Sequence, residues 1–186
     1  GLECQVVLDP SLLLTSSDWN KLLPEKRFMN KPYIFCYFLR RNDAYVSFVK
    51  KMSRHLNCQV IAYQIKREGE LRLPMKSGGP LNFVHAIRDA DYVMTDSFHG
   101  CAYALLFKKA LGLFKRFSDD ESFCQNSRLY NILEKLGIND IWIDNDDIQT
   151  FMVKQINYDE VMDKLSALRS DSLDYIKSFI SFYRNK

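Results

Sequence analysis

The chain has 186 residues, 47% hydrophobic and 26% charged, enough for one sizeable soluble core. Thirteen Phe and ten Tyr favour a folded chain over a disordered one, and 26 basic against 23 acidic residues, a net charge of +3, argue too weakly for a nucleic-acid partner. No apolar run approaches the ~20 residues of a membrane span, and the expectation from the sequence is that it carries no signal peptide.

The elements follow in chain order. CQVVLDPSLLL (4–14) reads as a short extended segment with a turn at Asp9-Pro10. SSDWNKLL (16–23) reads as a helical turn capped by Ser16 or Ser17. PYIFCYFL (32–39) is a continuous apolar run, the signature of a strand buried on both faces. A helix over about 44–56 follows, capped by Asp43, with Val46, Val49, Met52 and Leu56 on one side. CQVIAYQI (58–65) is a second buried strand, and 66–80 is a charged, Gly-containing connection. LNFVHAIRDA (81–90) is a short helix, DYVMT (91–95) a third strand, HGCAYALLFKKA (99–110) a helix and LGLF (111–114) a fourth strand. SRLYNILEKLG (127–137) is a helix stopped by Gly137, and IWI (141–143) has room for one more strand. From 159 to 183, Val161, Leu165, Leu168, Leu173, Ile176, Phe179, Ile180 and Tyr183 keep a helical period. This predicts one long amphipathic helix, with a break near Ser170 as the alternative. Strands alternating with helices imply an α/β domain over 1–186, a Rossmann-like parallel sheet with helices on both faces.

The cysteines are Cys4, Cys36, Cys58, Cys101 and Cys124, an odd number with no CxxC and no His/Cys cluster at zinc spacing. The expectation is a reducing, cytoplasmic setting with neither a disulfide framework nor a structural metal.

Ligands of open parallel sheets bind beyond the carboxyl ends of the strands. There the sequence puts Arg40 and Arg41, then Lys66 and Arg67, then Asp96-Ser97-Phe98-His99, then Lys115 and Arg116. Such a basic rim suits a phosphate-like anion, although basic pairs after strands also serve solubility. Asp96 or Ser97 is a natural N-cap for the following helix, and Gly100 permits close approach of a ligand or of another backbone. First-turn N–H groups attract anions, and His99 in that turn would meet the same ligand as a proton donor. The plainer alternative is that His99 only bonds a neighbouring carbonyl. His55 and His85 lie within predicted helices and read as surface or packing residues. GxGxxG after the first strand, GxxxxGK[ST], GxSxG and HExxH are absent, which argues against a dinucleotide-binding domain, a P-loop NTPase, an α/β-hydrolase and a zincin.

The run GGPLNFVHAIRDADYVMTDSFHGCAYALLFKKALGLFKR (78–116) resembles the core of the polysaccharide pyruvyl transferase family. VVLDPSLLL, PYIFCYFL and NSRLYNILEKLGI resemble further segments of it, so that the likeness spans about Val6 to Asn139. The resemblance implies the C-terminal half of a glycosyltransferase-B-like architecture, two Rossmann-like halves facing a cleft. The start without Met is read as agreeing with a missing N-terminal half-domain as partner. The implied activity is transfer of the pyruvyl unit of phosphoenolpyruvate to a saccharide or lipid-linked oligosaccharide, forming a pyruvate ketal of bacterial surface polysaccharide. That work belongs in the cytoplasm or at the inner face of the membrane and uses no cofactor beyond the donor. His99 matches the family's motif histidine, the implied acid. Related members carry Arg where this chain has Ser97, so a phosphate contact there rests on Ser97 itself and on backbone N–H groups. Arg40, Arg116 and Arg128 are implied anion contacts.

Two other functions compete. One is a nucleotide-sugar glycosyltransferase, which needs a ribose-binding carboxylate such as Glu134 or Glu160. The other is a non-catalytic sugar- or phosphate-binding module. A lone half-domain is expected to be inactive while still binding phosphoenolpyruvate.

Overall fold

A computed structural model describes residues 5–40, 42–64, 78–117, 126–143 and 147–184. Arg41, Lys66 and Arg67, and with them Cys4 and Cys124, lie outside the described residues.

Four strands form one sheet: β1 (Tyr33–Phe38), β2 (Gln59–Gln64), β3 (Tyr92–Thr95) and β4 (Ala110–Leu113). All neighbours pair parallel, in the order β2-β1-β3-β4. The apolar runs are continuous because both faces are covered. Tyr33, Phe35, Ile61, Tyr63, Val93, Leu111 and Leu113 face one core, while Ile34, Cys36, Phe38, Ala62, Met94 and Phe114 face the other. The period of two in each strand divides its residues between the cores.

Connections decide which helices cover which face. The chain moves outward from β1 to β2 through α3 (Asp43–Leu56), whose Val46, Phe48, Val49 and Met52 enter the second core. It then returns past β1 to β3 through α4 (Pro80–Asp89) and goes on to β4 through α5 (Phe98–Leu106). With one handedness for every crossover, reversing direction puts α4 and α5 on the opposite face. Their Val84, Ala86, Ile87, Cys101, Ala104 and Leu105 indeed lie in the first core. The reversal falls between β1 and β3, the topological switch point where such sheets hold ligands.

The remaining helices are α1 (Pro10–Leu13), α2 (Ser16–Asn20), α6 (Ser127–Leu136), α7 (Ile148–Val153) and α8 (Tyr158–Arg184). Several differ from the sequence expectations. Asp9-Pro10 is no simple turn but the start of α1, with Asp9 as N-cap and Pro10 in the first turn. Thr15, not Ser16 or Ser17, caps α2, because its hydroxyl and the Asp18 carboxylate close a reciprocal capping box. Asn42 rather than Asp43 caps α3, accepting from the N–H of Ala44 at 2.9 Å. Residues 141–143 add only an isolated parallel bridge, Leu113 to Trp142. Helix α5 ends at Leu106, and Lys108 turns with φ 53° to let β4 begin at Ala110. The C-terminal stop at Gly137 holds, with φ 72° in the left-handed region.

Helix α8 is continuous through Ser170. It is buried at Val161, Leu165 and Ser172, and it clamps the N-terminal segment. The Leu8 N–H donates to Ser172 Oγ at 3.0 Å, and Arg169 Nε donates to the Leu12 carbonyl at 2.9 Å. No helix among the described residues is long and apolar enough to cross a membrane.

Candidate functional site

The segment after β3 is locked in place before any ligand is considered. Thr95 Oγ1 donates to the Tyr37 carbonyl of β1 at 2.6 Å and accepts from the Ser97 N–H at 3.0 Å. A Cβ on Gly100 would lie 2.4 Å from that same Oγ1, so the first turn of α5 can pack here only with glycine. The close approach expected at Gly100 is thus to Thr95. Ser97, 2% exposed, is the N-cap, its Oγ accepting from the Gly100 N–H at 3.5 Å. Its hydroxyl is therefore engaged with the helix.

Asp96 is fully buried and staples two strand ends together. Its carboxylate accepts from the N–H of Leu39 at 2.7 Å and of Arg40 at 3.2 Å, both just past β1. Arg116, just past β4, brings Nε to 3.9 Å from the carboxylate and donates from Nη2 to the Asp96 carbonyl at 3.2 Å. Burial pushes the Asp96 carboxyl above the ordinary carboxylate range, and the Leu39 N–H and the Arg116 charge offset only part of this. Arg40 Nη1 donates to the Arg116 carbonyl at 3.3 Å, and both guanidinium groups stand by the Phe117 ring, at 5.4 and 5.9 Å from its centroid. Two of the expected basic residues thus meet at the switch point. Lys115 does not join them, for its ammonium lies over Tyr130 and Trp142, at 6.0 and 5.9 Å.

His99 stands in the first turn of α5 with its side chain 50% exposed. Its Nε2 faces Asp9 Oδ1 at 3.8 Å. Asp9 Oδ2 accepts from Arg128 Nη2 at 2.8 Å, and the Arg128 guanidinium lies over the Phe98 ring at 4.2 Å. Asp9 Oδ1 also accepts from the Ser11 N–H at 3.0 Å and the Ser11 hydroxyl at 2.7 Å. Burial pulls the Asp9 carboxyl upward, but the Ser11 hydrogen bonds with the His99 and Arg128 charges outweigh it, and the net shift is downward. An open groove of about 320 Å³ runs beside this cluster, lined by Leu8, Asp9, Phe98, Arg128, Asn131 and Lys135 among others.

The expected residues therefore divide into two groups around buried Ser97: Arg40 with Arg116 about Asp96, and His99 with Arg128 about Asp9. Neither carboxylate was foreseen in this role. Asp96 was legible only as a possible cap. Asp9 closes an apolar run before a proline, an N-cap signal, but nothing local announces a partner ninety positions away. His55 is exposed on α3, and His85 is buried, with Nε2 at 3.0 Å from both the Lys26 carbonyl and Asp89 Oδ2. Glu160, weighed as a ribose contact, pairs with Lys164 at 2.6 Å. Among the described residues no three His, Cys, Asp or Glu side chains gather as a metal set.

The model of the polysaccharide pyruvyl transferase family matches residues 1–111, more than half of the chain. The matched span holds Asp9, Arg40 and the loop from Thr95 to Gly100, and it stops short of Arg116 and Arg128. No curated protein matches the chain.

Proposed function

The chain belongs to the polysaccharide pyruvyl transferase family, and on that premise we propose that it binds phosphoenolpyruvate and serves transfer of its pyruvyl unit to two hydroxyls of a saccharide or lipid-linked oligosaccharide. The observation that carries this reading is His99: a half-exposed imidazole in the first turn of the helix after β3, inside the matched span, next to the sheet's switch point.

In the proposed reaction the protonated His99 gives its proton to the methylene carbon of phosphoenolpyruvate, making a methyl group. Positive charge then develops at the central carbon. One sugar hydroxyl adds there and returns its proton to His99. The bond to the phosphate oxygen breaks with its electron pair leaving on phosphate. The second hydroxyl adds, and its proton departs with phosphate, so the products are a pyruvate ketal and hydrogen phosphate. Arg40 and Arg116 are the proposed clamp for phosphate and carboxylate. Ser97 supports it by holding the first-turn N–H groups of α5 in place, with Arg128 a further contact for the anion.

A single sheet supplies one wall of a cleft, so we propose a second Rossmann-like half as the partner that brings the acceptor, at or near the cytoplasmic face of a membrane. Titration calorimetry of the chain is expected to show binding of phosphoenolpyruvate and none of nucleotide sugars. Preference for a nucleotide sugar would sink the reading. In the protein carrying both halves, His99→Ala is expected to lower transfer by the ~10²- to 10⁴-fold that a positioned acid contributes, with the fold intact.

A further inference from the structure

We propose that Asp9 is the positioning residue of His99, a carboxylate that orients the imidazole; the inference rests on the reading of His99 as the acid. A helix cap alone would not need this geometry. Capping α1 uses the bond from the Ser11 N–H to Oδ1. Yet the same Oδ1 faces His99 Nε2 at 3.8 Å, and Oδ2 receives Arg128 at 2.8 Å. The carboxylate thus sits between His99 of α5 and Arg128 of α6, ninety and 119 positions away.

Its position is fixed by the backbone around it. The Leu8 N–H is tied to Ser172, the Leu12 carbonyl to Arg169, and the Ser11 carbonyl accepts from Trp19 Nε1 at 3.2 Å. Trp19 in turn packs edge-on against Tyr103 of α5 at 5.2 Å. A group so held costs nothing to reorganise when a ligand arrives. The ionisable groups gathered about it are His99 and Tyr103 from α5 and Arg128 from α6, with the Ser11 hydroxyl from α1. The charge on Asp9 reaches Tyr103 too, adding to the burial that raises its phenol. On this proposal Nε2, the nitrogen turned toward the carboxylate at 3.8 Å, is the one that closes on Asp9, and Nδ1 is the one that exchanges a proton with substrate. Against the pull of burial, the Ser11 hydrogen bonds, and after them the His99 and Arg128 charges, hold the Asp9 carboxyl down, and Arg128, stacked on Phe98, holds the carboxylate from its far side.

Two measurements test this. The first is the titration of the Asp9 carboxyl by carbon-detected NMR in the wild-type chain and in His99→Gln. Asp9 is expected to titrate at higher pH in the variant, because a cationic neighbour is gone. An unmoved titration means Asp9 is a cap only and overturns the proposal, whatever the protein's activity. The second is Asp9→Asn, which retains the capping oxygen and removes the charge. In the protein that carries both halves it is expected to lower kcat by about 10-fold or more, part of what a positioned acid contributes, with KM for phosphoenolpyruvate within about two-fold. Wild-type kcat in Asp9→Asn, where His99→Ala lowers transfer as expected, also overturns it. If His99→Ala itself retains transfer while the NMR coupling is present, the reading of His99 as the acid has failed and the electrostatic pairing has not.

Discussion

Gly100 lacks a Cβ because Thr95 leaves no room for one. The clashing atom, 2.4 Å from where that Cβ would stand, belongs to a β-branched side chain. It is also held by the Tyr37 carbonyl and the Ser97 N–H, so it cannot swing aside cheaply. Alanine at this position gains about 1 kcal/mol of helix propensity and meets overpacking of about 1–3 kcal/mol. Gly100→Ala is therefore expected to lower stability in a denaturant titration despite the better helix former. An unchanged midpoint would show that the turn has slack and that the loop around His99 is not locked. At this scale the sequence exposes His99 clearly, because a strand, a cap residue and a helix can all be read within a dozen positions. It does not expose Asp9, since a contact between residues 9 and 99 depends on how the N-terminal segment packs on α5, which no local pattern records. Ser97 shows the same limit: its type marks a cap, but only the packed loop shows that its hydroxyl is committed to Gly100.

Helix ends are where side-chain chemistry becomes pH-dependent. In α2 the Asp18 carboxylate accepts from the Thr15 hydroxyl at 2.6 Å, from Lys21 Nζ at 3.0 Å and from the Thr15 N–H at 3.1 Å. The Thr15 hydroxyl is the largest cause, followed by Lys21, and together they hold the carboxyl down at about 2. A carboxyl depressed in the folded state stabilises it above the ordinary carboxylate value of about 3.9, and that contribution fades as pH falls through the folded one. The capping box is therefore expected to be complete above about pH 4 and lost as pH falls toward 2. Carbon-detected NMR of Asp18 checks this, and a midpoint at the ordinary carboxylate value would mean that the box does not persist in solution. The strands were legible for a simple reason: burial on both faces leaves unbroken apolar runs. Their order was not, because pairing β1 between β2 and β3 is a non-local outcome. Helix α7 carried too few residues for a period to register. At α8 the cluster Ser170-Asp171-Ser172 looks like a cap, but the Ser172 hydroxyl bonds back to the Leu168 carbonyl at 2.7 Å and leaves the helix unbroken.

Across the whole molecule, the segment bearing Asp9 meets helix α8 beside the site. That segment is not part of the sheet; it is held on the first core by α5 and α8, with Arg128 of α6 reaching Asp9. The longest-range of these ties is the bond from the Leu8 N–H to Ser172 Oγ, 164 positions apart, with both residues buried. Ser172 uses its hydroxyl twice, donating within α8 and accepting from Leu8. Ser172→Ala should leave the α8 backbone intact, since alanine is the better helix former, and orphan one buried N–H. The expected cost is about 1–3 kcal/mol, the desolvation of an unsatisfied donor, offset in part by helix propensity. Because Leu8 adjoins Asp9, the loss should appear locally before it appears globally. Hydrogen exchange at the Leu8 amide is expected to accelerate in Ser172→Ala, with amides of β1 and β3 unchanged under native conditions. Equal acceleration in the strands would show that the N-terminal segment and the sheet open as one unit. Unchanged exchange at Leu8 would show that the Ser172 bond does not hold that segment, leaving Arg169 and the core packing as its ties to α8. Acceleration at Leu8 alone ties α8 to the geometry at His99 through the Ser172 bond, with Arg169 as its second hold, so that this helix helps to determine how firmly Asp9 is presented to the imidazole.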